Sequence, residues 1–129
     1  MQPNGLPRFC RLHLKSDFQG VIKGGIKLQY NGVVLWGRGS TEKRPARFAV
    51  VVSRRLGPAV MRNRAKRLLR EAFRLNRKYI LPGTDLVVSP RDSEKIADVH
   101  AAQDALMTLC GKAALLRESS DKANPAIED

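Results

Sequence analysis

Between Ser53 and Lys78 the chain reads SRRLGPAVMRNRAKRLLREAFRLNRK, in which ten Arg and Lys side chains face a single acid, Glu71. Plotted at 100° per residue, the part from Met61 onward sorts into two arcs, the mark of an amphipathic helix. Met61, Ala65, Leu68, Leu69, Ala72 and Leu75 share one side with Tyr79. Asn63, Lys66, Arg67, Arg70, Arg74 and Arg77 lie opposite, and Arg62 and Arg64 flank the apolar arc near its N-terminal end. Gly57-Pro58 supplies the start, because a proline's missing N–H costs nothing in a first turn, and Pro82-Gly83 supplies the stop. The basic residues form one continuous face, and the apolar arc requires a layer to pack on.

That face is strained as an isolated helix. Along the row Arg62, Lys66, Arg70, Arg74 each like-charge pair costs roughly 0.2–0.5 kcal/mol, which a negatively charged partner would relieve. Arginine outnumbers lysine here, and its planar fork of donors suits phosphate oxygens, base edges and aromatic stacking better than a point charge does. The formal charge of +12 is unevenly spread: residues 1–53 carry a net +7, residues 54–78 a net +9 and residues 79–129 a net −4. Such a field steers a protein toward polyanions without naming which, so nucleic acid, the ribosome and an acidic membrane all fit the charge. A membrane surface fits less well, since the opposite face lacks a Trp or Phe cluster. The balance favours nucleic acid.

The other elements follow from periodicity. Arg11–Lys23 places Leu14, Phe18, Val21 and Ile22 at helical spacing, with Ser16 or Asp17 as a cap and Gly24-Gly25 as the end. Val33–Trp36, Phe48–Val52 and Asp85–Ser89 are β-rich runs, and Ile26–Tyr30 is a candidate fourth strand. The polar, turn-forming stretch Gly39–Pro45 reads as a mobile hairpin loop. From Ser93, taken as a cap, Ile96, Val99, Ala102, Leu106, Leu109 and Cys110 recur at helical period and predict a helix covering the sheet. At 129 residues this is one domain, over residues 1–117, and the acidic, Pro-containing residues 118–129 are expected to be a disordered tail. The order helix, strands, basic helix, strand, helix predicts an α/β sandwich with helices packed on a small sheet.

Apolar runs fall short of the roughly 20 residues that span a bilayer, and the N-terminus lacks a signal peptide's apolar stretch, so the expected location is the cytoplasm. Cys10 and Cys110 match no metal-ligand or C-x-x-C spacing and are expected to be reduced thiols. No nucleophile with its base, carboxylate pair or metal-ligand set is apparent. His13 and His100 both fall on predicted helices, and neither Gly24-Gly25 nor Gly37-Arg38-Gly39 is followed by the Lys-Ser/Thr of a P-loop. The polypeptide alone is expected to bind rather than to catalyse, with no metal or other cofactor of its own.

The run Arg62-Asn63-Arg64-Ala65-Lys66-Arg67-Leu68-Leu69-Arg70-Glu71-Ala72-Phe73, preceded by Ser53–Val60, resembles the signature of the bacterial ribonuclease P protein component. Arg11-Leu12, Asp17-Phe18, Trp36 and the runs Phe48–Ser53 and Asp85–Arg91 support the likeness over roughly residues 8–116. The resemblance implies an α+β sandwich: a mainly antiparallel four-stranded sheet, about three helices and a left-handed β-α-β crossover around the basic helix, against the usual right-handed rule. It also implies the protein subunit of a ribonucleoprotein endonuclease that removes the 5′ leader from precursor tRNA, with the catalytic RNA holding the Mg²⁺ ions that do the chemistry. No membrane or obligate protein partner is implied. On this likeness Arg62, Asn63, Arg64, Lys66, Arg67 and Arg70 would contact the catalytic RNA, with Arg11, Arg55 and Arg74 as further basic contacts. Phe18, Ile22, Trp36 and Arg54 would line a cleft for the single-stranded leader. Packing in the core is the competing role for Phe18 and Trp36, and Ile22 stands where many family members carry a second aromatic. A structural RNA-binding protein, such as a ribosomal protein, is the alternative that the charge and small α/β architecture also allow.

Overall fold

The structure, a computed structural model, describes residues 11, 12 and 15–116. His13, Leu14, Cys10 and the acidic segment 118–129 lie outside the described residues. The element order is α1 (Lys15–Gly24), β1 (Ile26–Tyr30), β2 (Val33–Arg38), β3 (Arg47–Val50), α2 (Ala59–Asn76), β4 (Asp85–Pro90) and α3 (Val99–Lys112). The strands form one sheet in the order β1-β2-β4-β3. β1 with β2 and β2 with β4 are antiparallel, and β3 with β4 is parallel. The result is the three-helix, four-stranded α+β fold that the resemblance implies.

β1 and β2 turn on Asn31-Gly32, whose φ values of 49° and 80° are both positive. That is the two-residue Asn-Gly turn whose twist matches a hairpin's strands. β4 enters between β2 and β3, and all six of its residues are buried. Side-chain alternation then divides its contacts. Leu86 and Val88 join Val33, Leu35 and Phe48 beneath α2 and α3, which contribute Leu69, Ala72, Phe73, Leu106 and Leu109. Val87 points the other way, toward Val21 of α1 and Leu12. The sheet is thus covered by two helices on one face and by the short α1 on the other.

Several expected boundaries move. Residues 39–46 do not close a hairpin between β2 and β3, because β4 occupies the place between them. The segment crosses the sheet end instead and is fastened there: the Ser40 hydroxyl donates to the Gly83 carbonyl (2.9 Å), and the Gly83 N–H donates to the Arg44 carbonyl (2.7 Å). Arg11 and Leu12 are not helical. Arg11 forms a parallel bridge to Phe48, and the Leu12 N–H donates to the Phe48 carbonyl (3.1 Å), continuing the sheet past β3. α2 ends at Asn76 and passes into a 3-10 turn, Arg77–Tyr79, before Pro82-Gly83 is reached. Ser93 does not cap α3; Ser93–Lys95 form a 3-10 turn capped by Asp92, and Asp98 caps the helix by accepting from the Ala101 N–H (2.9 Å). β3 stops at Val50, two residues short of the expected Val52.

The buried side of α2 is also turned from the expected arc. Ala65, Leu69, Ala72 and Phe73 are buried, whereas Met61, Leu75 and Tyr79 are exposed. The reason is Phe73, whose ring stacks on Phe48 with centroids 4.5 Å apart and planes at 11°. A buried aromatic pair is worth about 0.5–1.5 kcal/mol beyond its area, a gain on top of the burial of the large ring itself that a helix turned to bury Met61 and Leu75 would forgo.

Candidate nucleic-acid interface

Two surfaces carry the residues singled out in the sequence. The first is the outer face of α2. Asn63, Arg67 and Arg70 are exposed and Lys66 is half-buried, and none of the four side chains makes a hydrogen bond or ion pair among the described residues. Arg62 and Arg64 are folded back onto main-chain oxygens, Arg62 on Gly57 (3.4 Å) and Arg64 on Ala97. These bonds orient the two side chains without neutralising them, because a carbonyl carries no net charge. Arg74 is different. Its Nε lies 2.9 Å from Glu71 Oε1 and its Nη2 bonds Oε2, a forked pair that holds the Glu71 carboxyl below its usual range and raises Arg74. The one acid of the basic helix is therefore spent at its C-terminal half, and the uncompensated charge concentrates on Asn63–Arg70. Arg54 and Arg55 extend it as exposed, unpartnered side chains on the 3-10 turn Arg54–Leu56, which joins β3 to α2. Arg11 is exposed beside β3.

The second surface lies between α1 and the sheet face it covers. Phe18 and Ile22, one helical turn apart on α1, and Trp36 on β2 are half-buried around Leu12, Val21 and Val87, with Ala49 beside them. Three of the four expected cleft residues are thus brought together, packed at their inner sides and open at their outer ones. Arg54 belongs to the turn after β3 rather than to this apolar cluster. Lys27, directly across from Trp36 in the β1–β2 register, holds its Nζ 5.7 Å from the ring centroid, so a cation and an aromatic face are presented together. The sequence reading missed Lys27; the register alone makes it visible.

A charged cluster borders this cleft. Asp85, 1% exposed, points to the α1 side of β4 and takes a forked bond from Arg47, Nε to Oδ1 at 2.9 Å and Nη2 to Oδ2 at 3.0 Å. Arg44 approaches at 3.1 Å and Arg38 at 3.5 Å. Burial pushes the Asp85 carboxyl upward, but the Arg47 hydrogen bonds and the charges of Arg44 and Arg47 outweigh it and leave the group below its ordinary range. Arg47 reaches further, to Asp17 of α1 at 3.2 Å. Gly20 makes room for the Arg38 guanidinium, since a Cβ there would stand 2.5 Å from Nη1.

Other features lie apart. An open cavity of about 640 Å³ between residues 40–46 and the segment that follows α2, residues 77–82, shares no residue with the cleft or with Arg62–Arg70. Cys110, on the buried side of α3, is a free thiol, and burial pushes its pKa up to about 12. Among the described residues no group of three or more His, Cys, Asp or Glu is placed to hold a metal ion, and no helix is long and apolar enough to cross a membrane.

Comparison with known proteins agrees with this geometry. The model of the family described as Ribonuclease P matches residues 6–114. The ribonuclease P protein component of Dictyoglomus thermophilum is 33% identical over 115 residues, covering 87% of this chain and 94% of that protein. The solved RNase P protein of Staphylococcus aureus superposes with a TM-score of 0.71 at 28% identity, over 84% of this chain and 98% of that one. The Thermotoga maritima protein gives 0.68 at 36% identity, over 79% and 96%. With the basic helix, the fold and these likenesses in agreement, the chain belongs to the ribonuclease P protein family, the protein component of a tRNA-processing ribonucleoprotein.

Proposed function

We propose that this protein binds the catalytic RNA of ribonuclease P through Arg62, Asn63, Arg64, Lys66, Arg67 and Arg70. In the same particle the α1–sheet cleft grips the single-stranded 5′ leader of precursor tRNA. The observation that carries the reading is the run of unpaired donors on α2, with the helix's one acid withdrawn onto Arg74. Arginine forks bind phosphates and fix register, while Asn63 can both donate and accept toward a base edge or a ribose 2′-hydroxyl. Arg55 and Arg11 extend the basic surface, and Arg74, already paired, adds less.

Phe18 and Trp36 offer π-faces to unstacked bases, which is tolerant of sequence because every base has such a face; each stacked base contributes on the order of 1–3 kcal/mol. Ile22 gives apolar contact without stacking, and Arg54 supplies a cation toward the leader backbone. In this reading the RNA subunit carries out the hydrolysis in the cytoplasm and holds the Mg²⁺ that activates water and stabilises the leaving 3′ oxygen. The protein's share is affinity and orientation, with no obligate protein partner and no membrane.

The test is to recover the tagged protein from its host at moderate salt, identify the RNA it retains and supply precursor tRNA with Mg²⁺. One dominant noncoding RNA, with release of a leader and a 5′-phosphorylated tRNA, is the expected result. Ribosomal RNA without cleavage would instead favour a structural RNA-binding protein.

A further inference from the structure

We infer that Asp17 is a positioning residue for the leader cleft: through Arg47 and Asp85 it fixes the N-terminal half of α1 over the sheet and so sets where Phe18 stands relative to Trp36. The inference rests on the leader-binding reading and assigns the group that holds the cleft's wall in place.

α1 has ten residues, too few to be stable alone in water, so its attachment to the sheet determines its position. Its one fully buried side chain is Val21, in the second half of the helix. Phe18 and Ile22 pack against the same small cluster but stay half-buried, so apolar contact alone holds the first half of the helix only loosely. The polar point of attachment is the Asp17 carboxylate, 3.2 Å from Arg47 Nη1. Arg47 cannot follow a moving helix, because its Nε and Nη2 are both engaged by the buried Asp85, which Arg44 also holds at 3.1 Å. Asp17 is therefore tied to a fixed post on β3 and β4, and the next residue along is Phe18. An acid at this place also needs a reason, since an uncompensated carboxylate beside a leader phosphate would repel it. Paired with Arg47, it presents no such field.

The test uses the reconstituted holoenzyme with Asp17→Asn, Phe18→Ala and the double variant. The readout is the affinity for precursor tRNA with a leader long enough to cross the cleft and, separately, for mature tRNA. Asp17→Asn is expected to weaken precursor binding roughly threefold, the scale of a partly exposed ion pair. Mature tRNA binding and assembly with the RNA subunit should stay unchanged. Phe18→Ala is expected to weaken precursor binding roughly tenfold, and Asp17→Asn should add nothing in the Phe18→Ala background, the coupling expected of a residue that acts through its neighbour. An equal effect of Asp17→Asn in both backgrounds, or none while Phe18→Ala is damaging, would overturn the positioning role. Phe18→Ala without loss of leader affinity would overturn the cleft reading itself.

Discussion

Arg67 and Arg70 carry unpaired charge on the outer face of α2, whereas Arg74, one turn on from Arg70, is held by Glu71 at 2.9 Å. Two double variants separate free charge from paired charge on the same helix. Arg67→Gln with Arg70→Gln removes two cations available to phosphate. Glu71→Gln with Arg74→Gln removes one cation and one anion and leaves the net charge unchanged. Gln keeps helix propensity close to that of Arg and Glu, so the backbone should persist in both. Each phosphate contact contributes about 0.7–0.9 to the slope of log affinity against log salt, so the first variant should flatten that slope by about 1.4–1.8. Between about 50 and 200 mM salt the wild-type protein would then lose roughly tenfold more affinity than the variant. Titration of the RNA subunit at fixed Mg²⁺ and four or more KCl concentrations measures both slopes. The second variant should match wild type within about half a unit. Equal flattening by the two variants, or no flattening by the first, would refute the assignment of free charge to Arg67 and Arg70.

Phe73→Ala removes a fully buried ring stacked on Phe48 and should cost about 3–5 kcal/mol, read as a lower midpoint in urea unfolding. Asp85→Asn leaves Arg38, Arg44 and Arg47 without their common carboxylate and should cost roughly 2 kcal/mol near neutral pH. Because the Asp85 pKa is lowered in the folded state, its contribution is complete above the ordinary value of 3.8 and is lost as pH falls below it toward the folded value. The wild-type and Asp85→Asn stability curves should therefore converge in acid, and curves that stay parallel below that pH would contradict the assignment. Gly83→Ala should cost roughly 2 kcal/mol by placing a side chain at a positive φ, where its Cβ would meet the Glu42 carbonyl at 2.7 Å; thermal unfolding checks this.

Part of the surface pattern was legible before the fold. The continuous basic arc of α2 and the spacing of Phe18 and Ile22 on α1 depend only on helical period, and the structure keeps both. What the sequence hid was decided by contacts distant along the chain. Periodicity placed Met61 and Leu75 on the buried side, but the stack of Phe73 on Phe48, 25 positions earlier, turns the helix away from them. The insertion of β4 between β2 and β3 converts an apparent hairpin loop into a crossover, and no local signal in residues 39–46 announces it. Asn31-Gly32 was a local signal of a hairpin between β1 and β2, and it places Lys27 beside Trp36. The pairing of Glu71 with Arg74 was implicit in their i,i+3 spacing. The Asp17–Arg47–Asp85 chain, by contrast, joins three segments that only the sheet brings together.

On the proposed function, this protein completes an RNA enzyme through its basic helix and its aromatic cleft. The decisive assay is single-turnover cleavage of precursor tRNA by the host's ribonuclease P RNA at low Mg²⁺, with and without the protein. Cleavage is expected to be accelerated by the protein, and the acceleration to shrink when the leader is cut back to a single nucleotide. Acceleration of the same size with and without a leader, or none at all, would contradict the proposed function.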